Sequence, residues 1–402
     1  MKNHWKRGIA CFLVLALIAV LCMGCGDDKE KEGVTIVIGE LIDLTGPASP
    51  AEIPLHHAIE DLARYYNEEG LIPGARLEVV TYDNQFNPAR DIPGYEWCRD
   101  QGAKVIIGIH ELTAETLKPF AERDKVPIGT VSYTDFAAEP PGWVFIFSSH
   151  ISYQINTVLK WISEKHWDYS ERLPRIGFYG WREPMNLNME RAMREYCQAH
   201  PDKFDWVGGF MSPVGTMSCD NEIEKLKDCD YINPYLFAGA FFMRDFRAKG
   251  YTATFISDSG NIGYYEFYTD LCGWEALDGK LTCNIVPWWN EPSPTVDLAK
   301  QVSGKYHLGE GRMGASYEGG FQIMYPFFET LRKAVEAAGA ENFDGQAFYD
   351  EAVELKMKWE GLHEWGFTDT KRYLIDHVAI HEWSAEAEDL VRLSDWIPLV
   401  IE

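Results

Sequence analysis

Basic residues are scarce in this sequence. Its 402 residues include 37 lysines and arginines against 62 aspartates and glutamates, which gives a formal net charge of −25. A surface of this sign repels the phosphate groups of nucleic acids and the anionic headgroups of membranes. We therefore exclude nucleic acid as a partner.

Motifs for covalent or metal chemistry are also missing. There is no GxSxG turn, and no Ser, His, Asp order typical of a hydrolase can be identified. After Cys25 there is no CxxC pair and no Cys/His cluster. His377 and His381 have the HxxxH spacing, but their segment alternates like a strand, whereas the metal-binding motif needs a helix. The sequence predicts no enzyme, no metal site and no cofactor.

Cysteines are few beyond the N-terminal region, where six remain. If the chain is exported, two pairs could close short loops, each contributing about 2–4 kcal/mol to stability. The disulfide candidates are Cys219 with Cys229 and Cys272 with Cys283.

Long apolar runs are absent except at the N-terminus. Three basic residues precede the run Ile9–Met23, which has the length of a signal h-region and is too short for an ordinary spanning helix. The run ends in LCMGC, which resembles a bacterial lipobox with Cys25 as the acylated residue. Residues 1–24 are thus predicted to be a lipoprotein signal peptide and 25–33 a polar tether; ordinary secretion and a retained anchor are the alternatives. The remainder would work outside the cytoplasm, lipid-anchored to the bacterial cell membrane or periplasmic.

Strand-like apolar blocks alternate with helix-like segments along the rest of the chain. VTIVIGELI (Val34–Ile42) is typical of a strand, and in the next segment, Pro54–Gly70, apolar residues fall on one helical face. The same rhythm restarts at PRIGFYG (Pro174–Gly180) and continues through GKLTCNIVP (Gly279–Pro287). This alternation predicts an α/β fold with parallel sheets covered by helices, in two domains. With 46% apolar residues, the chain can build two cores of ordinary size.

The stretch VIIGIHELTAET (Val105–Thr116) predicts a buried strand that leads into a helix, with Glu111 and Thr113 near the helix start. In an open parallel sheet, ligands bind outside the carboxyl ends of the strands, where helix N-termini supply free N–H groups. The next predicted strand exit should converge on the same pocket and carries Ser132, Tyr133 and Thr134. The alternative is that Thr113 only begins a helix and that Glu111 caps it or faces solvent.

Several stretches follow one another in a familiar order: IVIGELIDLTGPAS, NEEGLIPGARLEVVTYDNQFNPAR, DQGAKVIIG, LKPFAERDKVPIGTVSYT and SYEGGFQIMYPFFETLRKAVEAAG. This order resembles that of type I periplasmic binding proteins, and in particular the leucine/isoleucine/valine-binding branch that serves ABC importers. The resemblance implies two doubly wound parallel-sheet lobes joined by three crossovers. It also implies that the lobes close around a small ligand and that the closed form docks on a membrane permease.

The resemblance also implies where the lobes begin and end. Lobe 1 would contain residues 34–149 and 287–339, and lobe 2 would contain residues 150–286 and 340–402. The crossovers are expected near Ser148–Ile151, Val286–Trp289 and Gly339–Asp344.

Binding residues can be carried over by position in the first lobe. Thr113, or its neighbour Leu112, corresponds to a serine whose hydroxyl holds the ligand carboxylate in amino-acid binders. Ser132 corresponds to a residue whose backbone carbonyl takes the ligand amine, and Thr134 to the threonine beside it.

The second lobe departs from the family pattern. Met185 falls where the relatives have a tyrosine, and Ser259 falls near their ammonium-pairing glutamate, for which Asp258 is the expected substitute. Trp181 and Tyr133 lie at predicted strand exits, where such rings can stack on flat ligands or surround an alkylammonium group. The alternative for most of the rings is a role in the core.

Taken together, these features predict an extracytoplasmic solute-binding lipoprotein of a branched-chain amino-acid-type ABC importer. Its ligand would be a small polar or amphipathic organic molecule, such as an amino acid, an amide or an aromatic acid. The expected partners are this ligand, an ABC permease and the membrane through the N-terminal lipid, with the protein itself a monomer. The alternatives are a ligand-sensing receptor of the same fold and, third, an exported hydrolase.

Overall fold

The computed structural model of the protein describes residues 33–131, 135–309, 312–359 and 363–401, without the side chains of Glu111, Trp359 and His363. Strands and helices alternate through the first segment of the chain. The elements are β1 (Val34–Ile42), α1 (Ser49–Glu68), β2 (Ala75–Asp83), α2 (Asp91–Asp100), β3 (Val105–Gly108), α3 (Glu111–Asp124), β4 (Ile128–Thr130), α4 (Asp135–Ala138) and β5 (Val144–Ser149).

The second segment repeats this alternation. Its elements are α5 (Ile151–Trp161), β6 (Arg175–Trp181), α6 (Pro184–Ala199), β7 (Asp205–Ser212), α7 (Asp220–Leu226), β8 (Tyr231–Pro234), α8 (Leu236–Ala248), β9 (Thr254–Ser257), α9 (Tyr265–Cys272), α10 (Trp274–Leu277) and β10 (Leu281–Asn284). A π-helical turn, Ile162–His166, extends α5, and a 3-10 turn, Ser259–Tyr264, precedes α9.

The last segment begins with helices and ends with strands. Its elements are α11 (Pro294–Tyr306), α12 (Ala315–Ala338), α13 (Gly345–Glu354), β11 (Lys356–Trp359), β12 (His363–Gly366), β13 (Tyr373–Ile375), β14 (His377–Ser384), β15 (Asp389–Arg392) and β16 (Ile397–Pro398). None of the helices in the described residues combines the length and apolarity needed to span a bilayer.

Two sheets organise these elements into two lobes. The first has the order β13-β5-β4-β3-β1-β2, and all of its strands are parallel. The second has the order β15-β14-β10-β9-β8-β6-β7, with β16 beside β14. Its β14, β15 and β16 pair antiparallel, and its other strands are parallel. The predicted α/β fold, with two doubly wound lobes, is confirmed, and the second lobe adds an antiparallel edge.

Burial explains why these residues form these elements. All four residues of β3 are buried, as expected for a parallel strand that is covered on both faces. On α1, Leu55, Ile59, Leu62 and Tyr66 share one buried face, which packs on α12. Gly320 of α12 permits the close approach, because a Cβ atom there would lie 2.3 Å from Leu55 Cδ1. The start of α1, which borders the cleft between the lobes, is thereby fixed in place.

The third crossover is not where it was predicted. The segment Gly339–Asp344 does not leave the first lobe, because α13 packs on α12 and β13 pairs with β5. The chain crosses at Asp376, the only residue between β13 and β14. The described residues of 340–375 therefore belong with lobe 1, and of the predicted segment 340–402 only residues after Asp376 join the second sheet.

The predicted disulfides do not form. Cys219, Cys229, Cys272 and Cys283 all carry free thiols. Cys272, at the end of α9, directs its thiol to the carbonyl oxygen of Ala240 at 3.2 Å, whereas Cys283 lies within the second sheet and contacts Gln154. Burial raises the pKa of the Cys219 and Cys229 thiols to about 12, so both remain protonated at neutral pH.

Candidate ligand-binding site

A cavity of about 550 Å³ lies between the two lobes. Its walls come from residues that follow the carboxyl ends of the parallel strands in both sheets, which is where open α/β sheets bind ligands. The chain segment from Asn284 to Trp289, which returns from the second lobe to the first, and the first turns of α12 close one side. Pockets of about 300–1,000 Å³ are typical of small-molecule sites.

Aromatic side chains form much of this wall. The rings come from both lobes and from the returning segment, and they are Phe86, Trp181, Tyr235, Phe237, Tyr264, Trp288 and Trp289. The Trp181 and Phe237 ring centroids lie 5.5 Å apart, and Phe237 stacks on Phe267 at 4.6 Å behind the wall. Trp181 is held by a hydrogen bond of 2.8 Å from its indole Nε1 to the carbonyl oxygen of Thr216. These contacts fix the positions of the Trp181 and Phe237 rings.

Two wall residues have left-handed backbone conformations. Phe86 has a φ of 53° and Leu236 a φ of 48°, in the region that favours glycine. Leu236 is held there by Asn261, whose Oδ1 accepts its N–H at 2.7 Å, and by Tyr268, whose hydroxyl donates to its carbonyl at 2.7 Å. Such conformations cost about 1–3 kcal/mol each and cluster at ligand sites. Both residues present apolar side chains to the cavity.

The charged groups in the wall are carboxylates. They are Glu52, Glu183 and Glu318, and no lysine, arginine or histidine lines the cavity among the described residues. Glu52 accepts a hydrogen bond of 2.6 Å from the backbone N–H of Asp43. Glu318 is 3% exposed and accepts two hydrogen bonds from Arg312, at 2.6 and 2.7 Å. Burial raises the pKa of Glu318 to about 7, against the opposing effect of Arg312.

Buried amides also reach the wall. Gln154 accepts the backbone N–H of Ser259 at 3.0 Å, which ties α5 to the turn after β9. Gln322 donates to the carbonyl oxygen of Pro287 at 3.1 Å. Asn284 is 3% exposed, and neither atom of its amide has a hydrogen-bond partner. Buried amides normally have partners, so this one is a candidate for reorientation toward a ligand.

Several of the positions singled out from the sequence lie in this wall. Trp181 lines the cavity, and so do Met185 and Ser259, the two positions that depart from the family pattern. Ser132, Tyr133 and Thr134 lie outside the described residues, as does Cys25. Glu111 is the first residue of α3, and its side chain is not described.

Two predicted contacts do not reach the cavity. Thr113 is fully buried, and its hydroxyl donates to Asp91 at 3.0 Å and accepts from Asn84 at 3.3 Å, so it joins the core rather than a ligand. Asp258 lies behind Tyr235, whose hydroxyl donates to it at 3.1 Å, and it does not line the cavity. Burial raises the pKa of Asp258 to about 6, while burial of the nearby Lys280 lowers the pKa of that amine to about 7.

Sequence reasoning missed other wall residues. The start of α1 contributes Ala51, Glu52 and Leu55, and α12 contributes Glu318 and Gln322. The sequence predicted a helix over Pro54–Gly70, which begins after Ala51 and Glu52, and the stretch that forms α12 entered only through the family resemblance. The available signal was the polar Glu318 and Gln322 on an otherwise apolar helix face.

The profile of the family described as Periplasmic binding protein matches residues 35–387. No curated protein sequence matches the chain. Among solved structures, a branched-chain amino acid ABC transporter protein from Thermus thermophilus with bound valine is similar, with a TM-score of 0.80 and 18% identity over 91% of this chain and 97% of that one.

Two further structures are similar at comparable identity. The leucine-binding protein LivK from Thermotoga maritima gives a TM-score of 0.74 at 16% identity, over 90% of this chain and 99% of that one. A solute-binding protein of an ABC transporter from Rhodopseudomonas palustris, in complex with 3,4-dihydroxybenzoic acid, gives a TM-score of 0.74 at 16% identity, over 91% and 98%. These likenesses show the same fold, and the family profile covers most of the sequence. The chain therefore belongs to the periplasmic binding protein family and has its type I fold.

Proposed function

We propose that the protein is the extracytoplasmic solute-binding component of an ABC importer of the branched-chain amino-acid type. It captures a small amphipathic organic molecule between its two lobes and presents the closed form to a membrane permease. Acylation at Cys25 tethers it to the membrane, and it works as a monomer. The observation that supports this proposal best is the cavity of about 550 Å³, to which both lobes contribute walls.

Contacts between the lobes support capture by closure. The backbone N–H of Ala315, at the start of α12, donates to Glu266 of α9 at 2.8 Å. Arg312, from the first lobe, lies over the ring of Tyr265 in the second lobe, 5.4 Å from its centroid. These contacts join residues beside the cavity, so closing the lobes and enclosing a ligand are one event.

Chemistry on the ligand is not required by this arrangement. Among the described residues three serines line the cavity, and the hydroxyls of two of them already donate to backbone: Ser148 to the carbonyl oxygen of Val131 and Ser316 to that of Ala51. Neither has a histidine as its acceptor. An exported hydrolase of this fold would need an activated nucleophile.

Ligand capture can be tested with the full-length protein. We expect a fraction of a metabolite extract to raise its melting temperature and to reduce its radius of gyration in small-angle scattering. A ligand at 100 times its dissociation constant would stabilise the closed form by about 2.7 kcal/mol. Mass spectrometry should recover that ligand unchanged, and its consumption would argue for an enzyme instead.

Transport and tethering need separate tests. Uptake of the identified ligand should fail in cells that lack either this protein or the permease encoded beside it. Ligand capture without any effect on uptake would favour the sensing receptor. Labelled palmitate should be incorporated into the wild-type chain but not into Cys25→Ser, and equal labelling of both would exclude Cys25 as the acylated residue.

A further inference from the structure

We propose that the cavity binds an organic ammonium ion: a primary or substituted amine carried on an apolar alkyl or aromatic body. This inference rests on the proposed function, because it names the ligand class of the same cavity. Three features carry it, namely the sign of the charges in the wall, the rings that surround the space and the arrangement of the protein's own cations.

The sign of the charges comes first. Carboxylates line the cavity, and no basic side chain does so among the described residues. Glu318 pairs with Arg312, and Glu183, which follows the end of β6, is half-buried. A ligand carboxylate would be desolvated against Glu52 and Glu183, which is unfavourable. An ammonium group placed there gains an opposite charge.

The backbone N–H groups at the start of α3 could have held a ligand carboxylate, but two of them already donate to acceptors within the protein. At the N-terminus of α3, the ring Nδ1 of His110 accepts the backbone N–H of Leu112 at 3.1 Å. The next N–H, that of Thr113, donates to the carbonyl oxygen of His110 at 2.9 Å. Ile109 lines the cavity, whereas His110 does not. The resemblance implied that Thr113 would hold a ligand carboxylate, as the corresponding serine does in amino-acid binders. Thr113 and its backbone N–H do not serve that role in this structure.

The rings provide the second feature. Aromatic faces attract cations, and rings on several sides form the surroundings that proteins use for alkylammonium groups. Here Trp181 and Phe237 belong to the second lobe, Phe86 belongs to the first, and Trp288 and Trp289 belong to the returning segment. A ligand held between the lobes therefore meets rings from opposite directions, and its apolar body meets the same wall.

Two of the protein's own cations lie against rings of this wall. The guanidinium carbon of Arg312 lies 5.3 Å from the ring centroids of both Trp288 and Trp289. Lys300 Nζ lies 4.7 Å from the ring of Trp289. Neither Arg312 nor Lys300 lines the cavity. These cations lie beside the two rings and leave the cavity itself without a positive group from the described chain.

The decisive experiment compares ligands that differ only in charge. Three bodies, hexyl, 3-phenylpropyl and 2-(indol-3-yl)ethyl, are each offered as amine, alcohol and carboxylate to the full-length protein, and binding is measured by calorimetry. We expect at least one amine to bind about tenfold or more tightly than its alcohol, a factor within reach of one charge pair or a few ring contacts. The carboxylate with the same body should not bind. A carboxylate or alcohol that binds tightest, or the failure of every amine, would overturn the inference.

A variant pair locates the charge. Glu183→Gln should weaken the best amine about tenfold and leave its alcohol unchanged. Glu164→Gln is the matched control, because Glu164 is an exposed carboxylate of the second lobe outside the cavity. It removes the same net charge and should change neither ligand. An equal loss for amine and alcohol in Glu183→Gln would refute the ion pair. The wild-type comparison stands by itself if this variant does not fold.

The two proposals fail differently. If every amine fails while an extract fraction still closes the lobes, the ligand class is wrong and the solute-binding function stands. If neither the panel nor any extract fraction stabilises or compacts the protein, the solute-binding function fails with it.

Discussion

The ion pair between Arg312 and Glu318 offers a sharp test of how the cavity wall is stabilised. The guanidinium group donates to both carboxylate oxygens of Glu318, whose side chain is 4% exposed. Arg312→Met keeps a long apolar side chain against the neighbouring rings but leaves this carboxylate without its counter-charge. We expect a substantial loss of stability, because a buried charge would then lack its partner.

The size of the loss follows from the burial of the pair. Removing one partner of a buried ion pair costs about 3–5 kcal/mol, and the lower end applies because Arg312 itself is 30% exposed. For a lobe of this size, about 3 kcal/mol corresponds to a fall in Tm of about 6–12 °C. Arg312→Met combined with Glu318→Gln should recover most of it, since both charges are then gone.

The loss should also depend on pH. Burial already raises the pKa of Glu318 above its ordinary value of 4.5, and removing Arg312 raises it further. Because the folded-state pKa of Glu318 is raised, the protonated carboxyl favours the folded state. This contribution to stability is complete below pH 4.5 and is lost as the pH rises through the folded pKa. The single variant should therefore differ less from wild type at pH 5 than at pH 8.

Calorimetric melting at these two pH values measures both effects. Arg64→Met is the control, because Arg64 pairs with Glu68 on the exposed face of α1 and the loss of an exposed pair costs about 1 kcal/mol or less. At pH 8, a loss below about 1 kcal/mol in Arg312→Met, or a double variant less stable than the single one, would refute the reasoning.

Three further predictions concern other parts of the molecule. Burial lowers the pKa of His56, but the Glu40 carboxylate at 2.7 Å more than offsets this and holds the pKa above 6.5. The pair therefore stabilises the fold fully below pH 6.5, and this stabilisation is lost as the pH rises through the raised pKa. His56→Gln should therefore lower Tm at pH 6 more than at pH 9, and equal losses at both pH values would contradict this. Thr113→Val should cost about 1–3 kcal/mol of stability in urea melts, because it removes the two buried hydrogen bonds that the hydroxyl makes with Asp91 and Asn84, yet leave ligand affinity unchanged; weaker binding would return Thr113 to the site. In a chain begun after Cys25, the six remaining cysteines should all react with Ellman's reagent in denaturant and little in the native protein, and fewer than six equivalents would reveal a disulfide.

Much of the fold could be predicted because its signals are local. Strands such as β3 are short apolar runs, and helices such as α1 carry one apolar face, so the alternation was visible in the sequence. The third crossover was not visible, because Lys371–Trp383 alternates without interruption. A single residue, Asp376, divides this pattern between two sheets, and periodicity cannot detect a break of that length.

The site was predicted only in part, for a related reason. Trp181 follows from the rule that ligands bind at the carboxyl ends of strands. Phe86 and Leu236 depend on backbone dihedral angles that distant partners such as Asn261 hold in place, and no local pattern encodes these contacts. Thr113 has the same position in the chain whether its hydroxyl meets a ligand or Asp91.

The crossing at Asp376 has a mechanical consequence. The hydrogen-bond ladder of one sheet ends at Ile375, and that of the other begins at His377. Because a single residue connects the two strands, the lobes cannot slide past each other or move apart at this point. Rotation of one lobe relative to the other is the motion that remains. Any pull on the second sheet passes to the first within two peptide units.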